Sequence, residues 1–484
     1  MTATSGNYCH LPQNYQFFRM PQTAPNFNHA YAKLPERFYA NAQPADYPHA
    51  KLIQINDDLA SELGFDLDWL HSEAGLAMLS GQILPPSAQP IAQAYAGHQF
   101  GGFVPQLGDG RAILLGEMNG HDIQLKGAGL TKYSRRGDGK SALGPVIREY
   151  LVSEAMHALG VPTTRALAAV ATQEAVFRQF GPEPGGIFTR VAQSHVRVGT
   201  FQYFAAQQDA EALQILTHHC TDHLYPDAQS PLELLENVVV RQARLIAHWM
   251  SLGFIHGVMN TDNCSISGDT IDYGPCAFMD TFHPKCVFSS IDKHGRYAWE
   301  NQAKIAHWNL TRLAEALMPV IDHDVEKAEA KTLPILAKFA PEFKSNYLQR
   351  FRSKLGLADC QESFIDSTLS HMADTKKDFT VFFRKLTQLA AHDAVDSYFS
   401  DDWLTIWRAE GKADVTLMQA NNPVLIPRNH QVEKAIQHAN DGDFSVFHRL
   451  NQAWKNPFTE KADYNDLEMP PTDSERVRET FCGT

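Results

Sequence analysis

The chain of 484 residues contains no run of 18 apolar residues, so no membrane-spanning helix is expected. Its first residues, Met1 to Gly6, carry neither a basic stretch followed by an apolar one nor the Arg-rich amphipathic pattern of an organelle transit peptide, and a cytoplasmic location is expected. Seven cysteines (Cys9, Cys220, Cys264, Cys276, Cys286, Cys360 and Cys482) are scattered without one C-x-x-C pair, which removes zinc knuckles and thioredoxin-type motifs. Positive charge is in short supply. The 42 Lys and Arg stand against 55 Asp and Glu, and the net charge of −13 argues against a general binder of nucleic acid or anionic membranes. Internal repeats and low-complexity tracts are missing as well.

What is present is a globular composition, 44% hydrophobic and 20% charged, in a chain long enough for two or more domains or one large two-lobed unit. Against the acidic background, residues 126–197 hold ten Lys and Arg and five Asp and Glu, a local excess that suits a solvated basic face or a phosphate pocket. Residues 1–50 are rich in Pro, Asn, Gln and aromatics and read as an extended arm. Residues 51–80 carry helical signals, with Asp57 and Asp58 opening a helix and Gly64 closing it. Ala112–Leu115 and Asp122–Lys126 read as strands joined at the Asn119-Gly120 turn. A helix is expected over Val146–Leu159, ending at Gly160, followed by strands at Ala166–Ala171 and Gly186–Val191. Beyond about residue 205 the pattern is helical, with one long amphipathic helix over Leu232–Leu252. The expected organisation is an N-terminal extension over 1–60, a mixed α+β lobe over 61–204 and a helical lobe over 205–484.

The most informative stretch is His256-Gly-Val-Met-Asn-Thr-Asp-Asn263, followed by Asp272-Tyr-Gly274. It reads like the catalytic and metal-binding segments of a protein kinase, H-R-D-x-x-x-x-N and D-F-G. The position of the kinase base is taken by Val258, which accepts no proton. Asn263 and Asp272 remain as hard oxygen ligands suited to Mg²⁺ or Mn²⁺ with nucleotide phosphates completing the shell. Asp262, beside the metal-binding Asn, is the carboxylate placed to activate a hydroxyl.

Other segments fit a nucleotide. Gly108-Asp-Gly-Arg111 lets backbone N–H groups approach phosphate while Arg111 adds a planar donor fork. Lys126 ends a strand and Glu149 lies 23 residues on in a helix; a strand Lys paired with a helix Glu is how kinases hold phosphate-binding charge in place. Glu154 is the competing partner, but five residues apart on a helix the two glutamates cannot both face Lys126 equally. Ser134-Arg-Arg-Gly-Asp-Gly-Lys140 forms a second glycine loop before a helix N-terminus, bringing Asp138 and Gly139. Arg190 and Arg197 flank Ser194-His195. Two arginines meeting without carboxylate partners are costly unless an anion lies between them. The His218, His219 and His223 group has a metal-like spacing but reads as packing on a helix.

Taken in order, Tyr95-Ala-Gly-His-Gln-Phe-Gly…Gly108-Asp-Gly-Arg111, Leu125-Lys-Gly-Ala-Gly-Leu-Thr131, Ser134-Arg-Arg-Gly-Asp-Gly139, His256–Asn263, Asp272-Tyr-Gly274, Asn421-Asn-Pro423…Arg428-Asn429 and Asn456-Pro-Phe458 resemble the selenoprotein O family over most of the chain. The resemblance implies a protein-kinase-like two-lobed α+β fold and a protein adenylyltransferase. Such an enzyme binds ATP in an orientation flipped relative to kinases and passes AMP to Ser, Thr or Tyr hydroxyls, with UTP and Mn²⁺ supporting a related uridylylation. By motif it implies Asp262 as proton acceptor and Asn263 and Asp272 as metal ligands. Gly108, Gly110, Arg111, Lys126, Asp138, Gly139, Arg190 and Arg197 match nucleotide contacts, and Glu149 matches the partner of the lysine. The end of the chain reads Phe481-Cys-Gly-Thr484, with cysteine where some relatives carry selenocysteine. The resemblance implies a redox disulfide between this tail and the loop after Asp272-Tyr-Gly274, with Cys482 facing either Cys276 or Cys286. A kinase-type phosphotransferase and a catalytically silent scaffold are the rival readings.

Overall fold

A computed structural model of the chain describes residues 23–178, 181–392 and 397–481. Its N-terminal region carries the strands β1 (Tyr39–Asn41), β2 (Lys51–Ile55), β3 (Ile91–Gln93), β4 (Gly97–Gln99), β5 (Gly102–Val104), β6 (Ala112–Met118), β7 (His121–Lys126), β8 (Ser141–Ala142), β9 (Arg165–Arg178) and β10 (Gly181–Ala192). Seven of them form one antiparallel sheet in the order β1-β3-β6-β7-β10-β9-β2. β8 pairs with β10 off this path, while β4 and β5 make a separate hairpin.

The β6–β7 connection is the two-residue turn read from Asn119-Gly120. Both residues have positive φ, 46° and 75°, the conformation whose twist matches the flanking strands. Two departures from the expected pattern lie at the sheet margins. Residues 39–41, inside the stretch read as an arm, and residues 51–55, inside the stretch read as helical, are the edge strands β1 and β2. Their partners, β3 and β9, are far along the chain, so local composition carries little sign of the pairing.

Strand alternation divides the side chains between two cores. Ile113, Leu115, Ile123 and Leu125 pack on one side with Leu59, Leu63, Leu70 and Leu79 of the short helices α1 (Asp57–Glu62), α2 (Leu67–Leu70) and α3 (Glu73–Leu79). Each of these helices opens at a side-chain cap: Asn56, Asp66 and Ser72 accept from the N–H groups of Leu59, Trp69 and Gly75. Leu114 and Phe188 face the other way, onto α4 (Leu143–Ala158). Because side chains alternate, Lys126 must point away from the Leu125 core and toward α4. Arg190, two residues beyond Phe188, points to the same side.

After β10 the chain is helical apart from short pieces. α5 (Val198–Ala206), α6 (Ala210–Leu224), α7 (Pro231–Ser251) and α8 (Gln302–Ile321) pack with α9 (Val325–Leu336), α10 (Phe339–Leu355), α11 (Glu362–Asp374), α12 (Phe379–His392), α13 (Asp401–Glu410), α14 (Val415–Asn421), α15 (Asn429–Asn440), α16 (Ser445–Trp454) and α17 (Asn465–Glu468). α7 starts on a Ser230 cap with Pro231 in its first turn, where a missing N–H costs nothing. The fold is thus mixed, a sheet in the N-terminal region and helices in the C-terminal part. Among the described residues no helix is long and apolar enough to cross a membrane. His219 and His223 lie on α6, where the His219 ring meets the edge of Tyr31 at 5.5 Å. Among the described residues no group of three or more His, Cys, Asp or Glu is placed to hold a metal.

Candidate active site

The His256–Gly274 segment runs from β11 (Phe254–Ile255) toward β12 (Ala277–Phe278), and the two pair to close its base. His256 is buried and stacked on Trp249. Its Nδ1 accepts from the Val258 N–H at 3.3 Å, so the ring proton sits on Nε2, which donates to the Ile271 carbonyl at 2.9 Å. The imidazole therefore ties the two halves of the segment together and is not free to move a proton. Gly257 has φ +81°, and an added Cβ would lie 2.6 Å from the Pro275 carbonyl oxygen, so only glycine fits that turn.

Asp262 sits in the short turn Thr261–Asn263 and is 9% exposed. Gln99 of the β4–β5 hairpin donates to Oδ2 at 3.3 Å, while Oδ1 is buried without a hydrogen-bond partner. Burial pushes its carboxyl up to about 6. The hairpin is clasped over this turn. The His98 N–H donates to Thr261 Oγ1 at 2.7 Å, the Phe100 N–H donates to Asn260 Oδ1 at 3.0 Å, and Thr261 donates in turn to Gln202 of α5. Asn263 spends its Nδ2 on the Val258 carbonyl at 3.0 Å, leaving the amide oxygen as its acceptor.

Opposite lies a cluster of five charges. Lys126 Nζ reaches Glu149 Oε2 and Asp272 Oδ1, both at 2.6 Å. Arg190 Nη2 reaches Glu149 Oε1 and the same Asp272 Oδ1, also at 2.6 Å. Arg197 lies 3.6 Å from Asp272 Oδ2, stacks 4.5 Å over the Tyr95 ring and donates to the Asp262 carbonyl at 3.0 Å. Burial opposes the charge of Asp272, but Arg190, Lys126 and Arg197 outweigh it and hold the carboxyl well below the usual range. The Lys126–Glu149 pairing is the one the strand-and-helix spacing anticipates. Glu154 turns instead to Arg165 and to Asn56. Arg190 and Arg197 do meet, and with carboxylate partners: Asp272, from a distant part of the chain, lies between them, and Glu149 serves Arg190. The site still counts three cations against two carboxylates.

Around these groups is a cavity of about 840 Å³. All the residues singled out for nucleotide contact (Gly108, Gly110, Arg111, Lys126, Asp138, Gly139, Arg190 and Arg197) line it, together with Glu149, Asp262, Asn263 and Asp272. The glycines do more than admit a ligand. A Cβ on Gly108, φ +68°, would enter the Tyr133 ring at 2.2 Å, and one on Gly139, φ +69°, would meet the Gly129 backbone at 2.2 Å, so both loops depend on glycine to pack. Asp138 is engaged by Arg178 at 2.9 Å and accepts from the Lys140 N–H. Reasoning from motifs missed Gln99, Tyr95 and Asn260, which carry no charge, and Arg178, which lies far from the glycine loop in sequence. The signal for the first two was the Tyr95–Gly102 run. In all, eight Lys and Arg and five Asp and Glu line the cavity, an excess that favours a polyanion.

Asn263 and Asp272 offer an amide oxygen and a carboxylate whose Oδ2 is less engaged than Oδ1. That pair of hard donors fits a small divalent cation carried in with phosphate oxygens. Cys276 is buried, and burial pushes the half-buried Cys286 thiol up to about 12. Cys482 lies outside the described residues. Up to Phe481 the tail runs beside the Asp272-Tyr-Gly274 turn: Thr480 donates to the Pro275 carbonyl at 2.6 Å, and Arg148 donates to the carbonyls of both Gly274 and Phe481.

The family model described as protein adenylyltransferase SelO matches residues 21–455. A protein nucleotidyltransferase YdiU from Rhodopseudomonas palustris is 52% identical, over 95% of this chain and 99% of its own. Those from Agrobacterium fabrum and Nitrobacter hamburgensis, of the same description, are 51% and 48% identical, covering 95% and 98% of this chain and 99% and 100% of their own. The similarity to such enzymes over nearly the whole chain defines a nucleotidyltransferase, and the basic cavity with its buried carboxylate suits that class. More particularly, the chain belongs to the SelO family of protein adenylyltransferases.

Proposed function

We propose that the protein transfers AMP from ATP to Ser, Thr or Tyr hydroxyls of other proteins and releases pyrophosphate. The reading is carried by Asp262, a buried carboxylate with an unpartnered oxygen, in a cavity where Val258 stands at the place of a kinase base. In the reaction the acceptor oxygen bonds to the α-phosphorus and the bond from that phosphorus to the β-bridging oxygen breaks. The hydroxyl proton passes to Asp262, and pyrophosphate takes the electron pair. Lys126, Arg190 and Arg197 hold the triphosphate, with Glu149 keeping Lys126 in place. Gly108, Gly110, Arg111, Asp138 and Gly139 line its path. Catalysis in this scheme rests on positioning and electrostatics. When bound through Asn263 and Asp272, Mg²⁺ or Mn²⁺ neutralises phosphate charge. UTP is a second donor in this reading.

The architecture behind the proposal is kinase-like and two-lobed, with residues 61–204 as the upper lobe, 205–484 as the lower one and 1–60 as an extension on the fold. The Lys126–Glu149 pair and the Asn263–Asp272 pair face one cavity between sheet and helices, and this supports the reading. The protein acts in the cytoplasm on protein partners, with no role for nucleic acid or membrane.

Two labelled nucleotides test it. With acceptor protein and divalent metal, label is expected on protein from α-³²P-ATP and not from γ-³²P-ATP. Label from the γ-phosphate alone means a kinase, and label from neither means a silent scaffold.

A further inference from the structure

Five cationic side chains are buried among the described residues: Arg148, Arg190, Arg197, Lys354 and Arg428. Four of them meet carboxylates, namely Glu433, Glu149 with Asp272, Asp272, and Asp280 with Asp378. Lys354 does not. Its Nζ, 3% exposed as a residue, has one protein acceptor, the Asn421 carbonyl at 3.3 Å, and lies 4.6 Å over the Phe383 ring. An ammonium has three donors, and a buried charge without a counter-ion is costly, so a single long bond and a ring face leave it undersupplied.

Lys354 lines a second cavity, of about 300 Å³, that shares no lining residue with the first. Arg350, one turn earlier on α10, and His248 of α7 line it too, and none of its lining residues is Asp or Glu. Arg350 and Lys354 are four apart on one helix face, where like charges repel. The buried His248 has no partner for its Nδ1. Both lining motifs belong to segments singled out in the sequence but unused by the reaction: Asn421 opens Asn-Asn-Pro423, and Phe458 closes Asn-Pro-Phe458. They build the wall, with Asn422 donating to the Lys354 carbonyl at 2.8 Å and the Pro457 carbonyl accepting from Val424 and Leu425.

We propose that this cavity is a binding site for a phosphate-type oxyanion, held by Lys354, Arg350 and His248 away from the nucleotide cavity. The source of the anion is inorganic phosphate, pyrophosphate or the phosphate of a nucleoside monophosphate, all of which share the chemistry these donors recognise. The C-terminal ends of α4, α7, α10 and α14 bring partial negative charge to the cavity, which the direct donors Lys354, Arg350 and His248 have to outweigh. Burial first, and Arg350 second, bring the Lys354 amine down to about 7, and no acid counters them. Arg350 falls to about 10 through burial, and His248 lies well below its usual value through burial and the two cations. The remaining neighbours of Lys354 are the Phe379 and Phe383 rings of α12 and the Asn421 carbonyl of α14.

The test is calorimetric titration of the full chain with phosphate, pyrophosphate and AMP at constant ionic strength, against chloride, in Lys126→Met, Lys126→Met/Lys354→Met and Lys126→Met/Arg350→Gln proteins. The Lys126→Met background weakens the nucleotide cavity. Saturable binding is expected in the background protein, weakened about tenfold or more by either second change. Proton uptake on binding at pH 8, read from buffers of different ionisation enthalpy, is expected to vanish with Lys354→Met. The strongest of the three ligands identifies the source. Absence of binding above chloride, or equal binding after both second changes, overturns the proposal. Arg350, half-buried, keeps the test valid if Lys354→Met fails to fold.

Discussion

Replacing Asp262 with Asn should move activity and stability in opposite directions. The carboxyl is raised from 3.8 to about 6 by burial, so folding disfavours its charge. A raised acid contributes nothing adverse below pH 3.8, and its penalty grows until the pH has passed through about 6. Above that the cost is about two pKa units at about 1.4 kcal/mol each, or about 3 kcal/mol. Asn has nearly the same shape, keeps a partner for Gln99 and carries no charge at any pH. Unfolding entropy of about 2 cal/mol/K per residue gives this chain about 1 kcal/mol/K, so the variant should melt about 3 °C higher than the parent at pH 8. At pH 5, partway through that window, the gap should shrink to about half, and it should close only below about pH 3.8. Label transfer from α-³²P-ATP should meanwhile fall about 10²- to 10⁴-fold, the range for loss of a general base. Asp262 is not among the cations facing phosphate, so ATP binding should change little. Scanning calorimetry at the two pH values, paired with initial rates, decides the matter. A variant within threefold of parental activity, or a melting difference independent of pH, would refute the argument.

Further outcomes follow from the same geometry. The parent's rate should rise with unit slope as pH increases toward about 6 and flatten above it, because Asp262 accepts a proton only when ionised; a flat profile from pH 5 to 7 contradicts this. Gly97→Ala places a Cβ 2.7 Å from Asp262 Oδ1 and 3.0 Å from Leu107 Cδ1, so it should cut the rate about 10²-fold while ATP affinity, measured by titration, holds within about twofold. Arg428→Met leaves the buried Asp280 and the half-buried Asp378 without their shared cation and should cost about 3–5 kcal/mol, seen as a melting point about 3–5 °C lower.

The motifs made much of the site legible. A lysine at a strand end with a glutamate in the following helix could be read from the sequence, with Glu154 left as a competitor; the structure pairs Lys126 with Glu149 and turns Glu154 to Arg165. The Asn119-Gly120 turn and the long helix α7 were equally plain, since each rests on contacts between near neighbours in the chain. β1 and β2 were not, because an edge strand of three or five residues is stabilised by a partner that local pattern does not contain. That a carboxylate, Asp272, lies between Arg190 and Arg197 was not legible because it is 75 residues or more away in sequence.

The residues and order of the motifs were enough to say which groups this chain brings to a nucleotide, and that Val258 removes one of them. Only the tertiary structure decided their chemical state. Asp262 is a weak acid of about 6 because the β4–β5 hairpin, from more than 160 residues earlier, buries it while leaving one oxygen unpaired. Asp272 is held ionised by three cations from two strands and a helix cap. Lys354, unremarkable in the sequence, lacks the carboxylate that every other buried cation described here possesses. Desolvation and Coulomb energy vary over a few ångströms and are set by whichever distant segments pack there, so they belong to the fold and not to the local pattern.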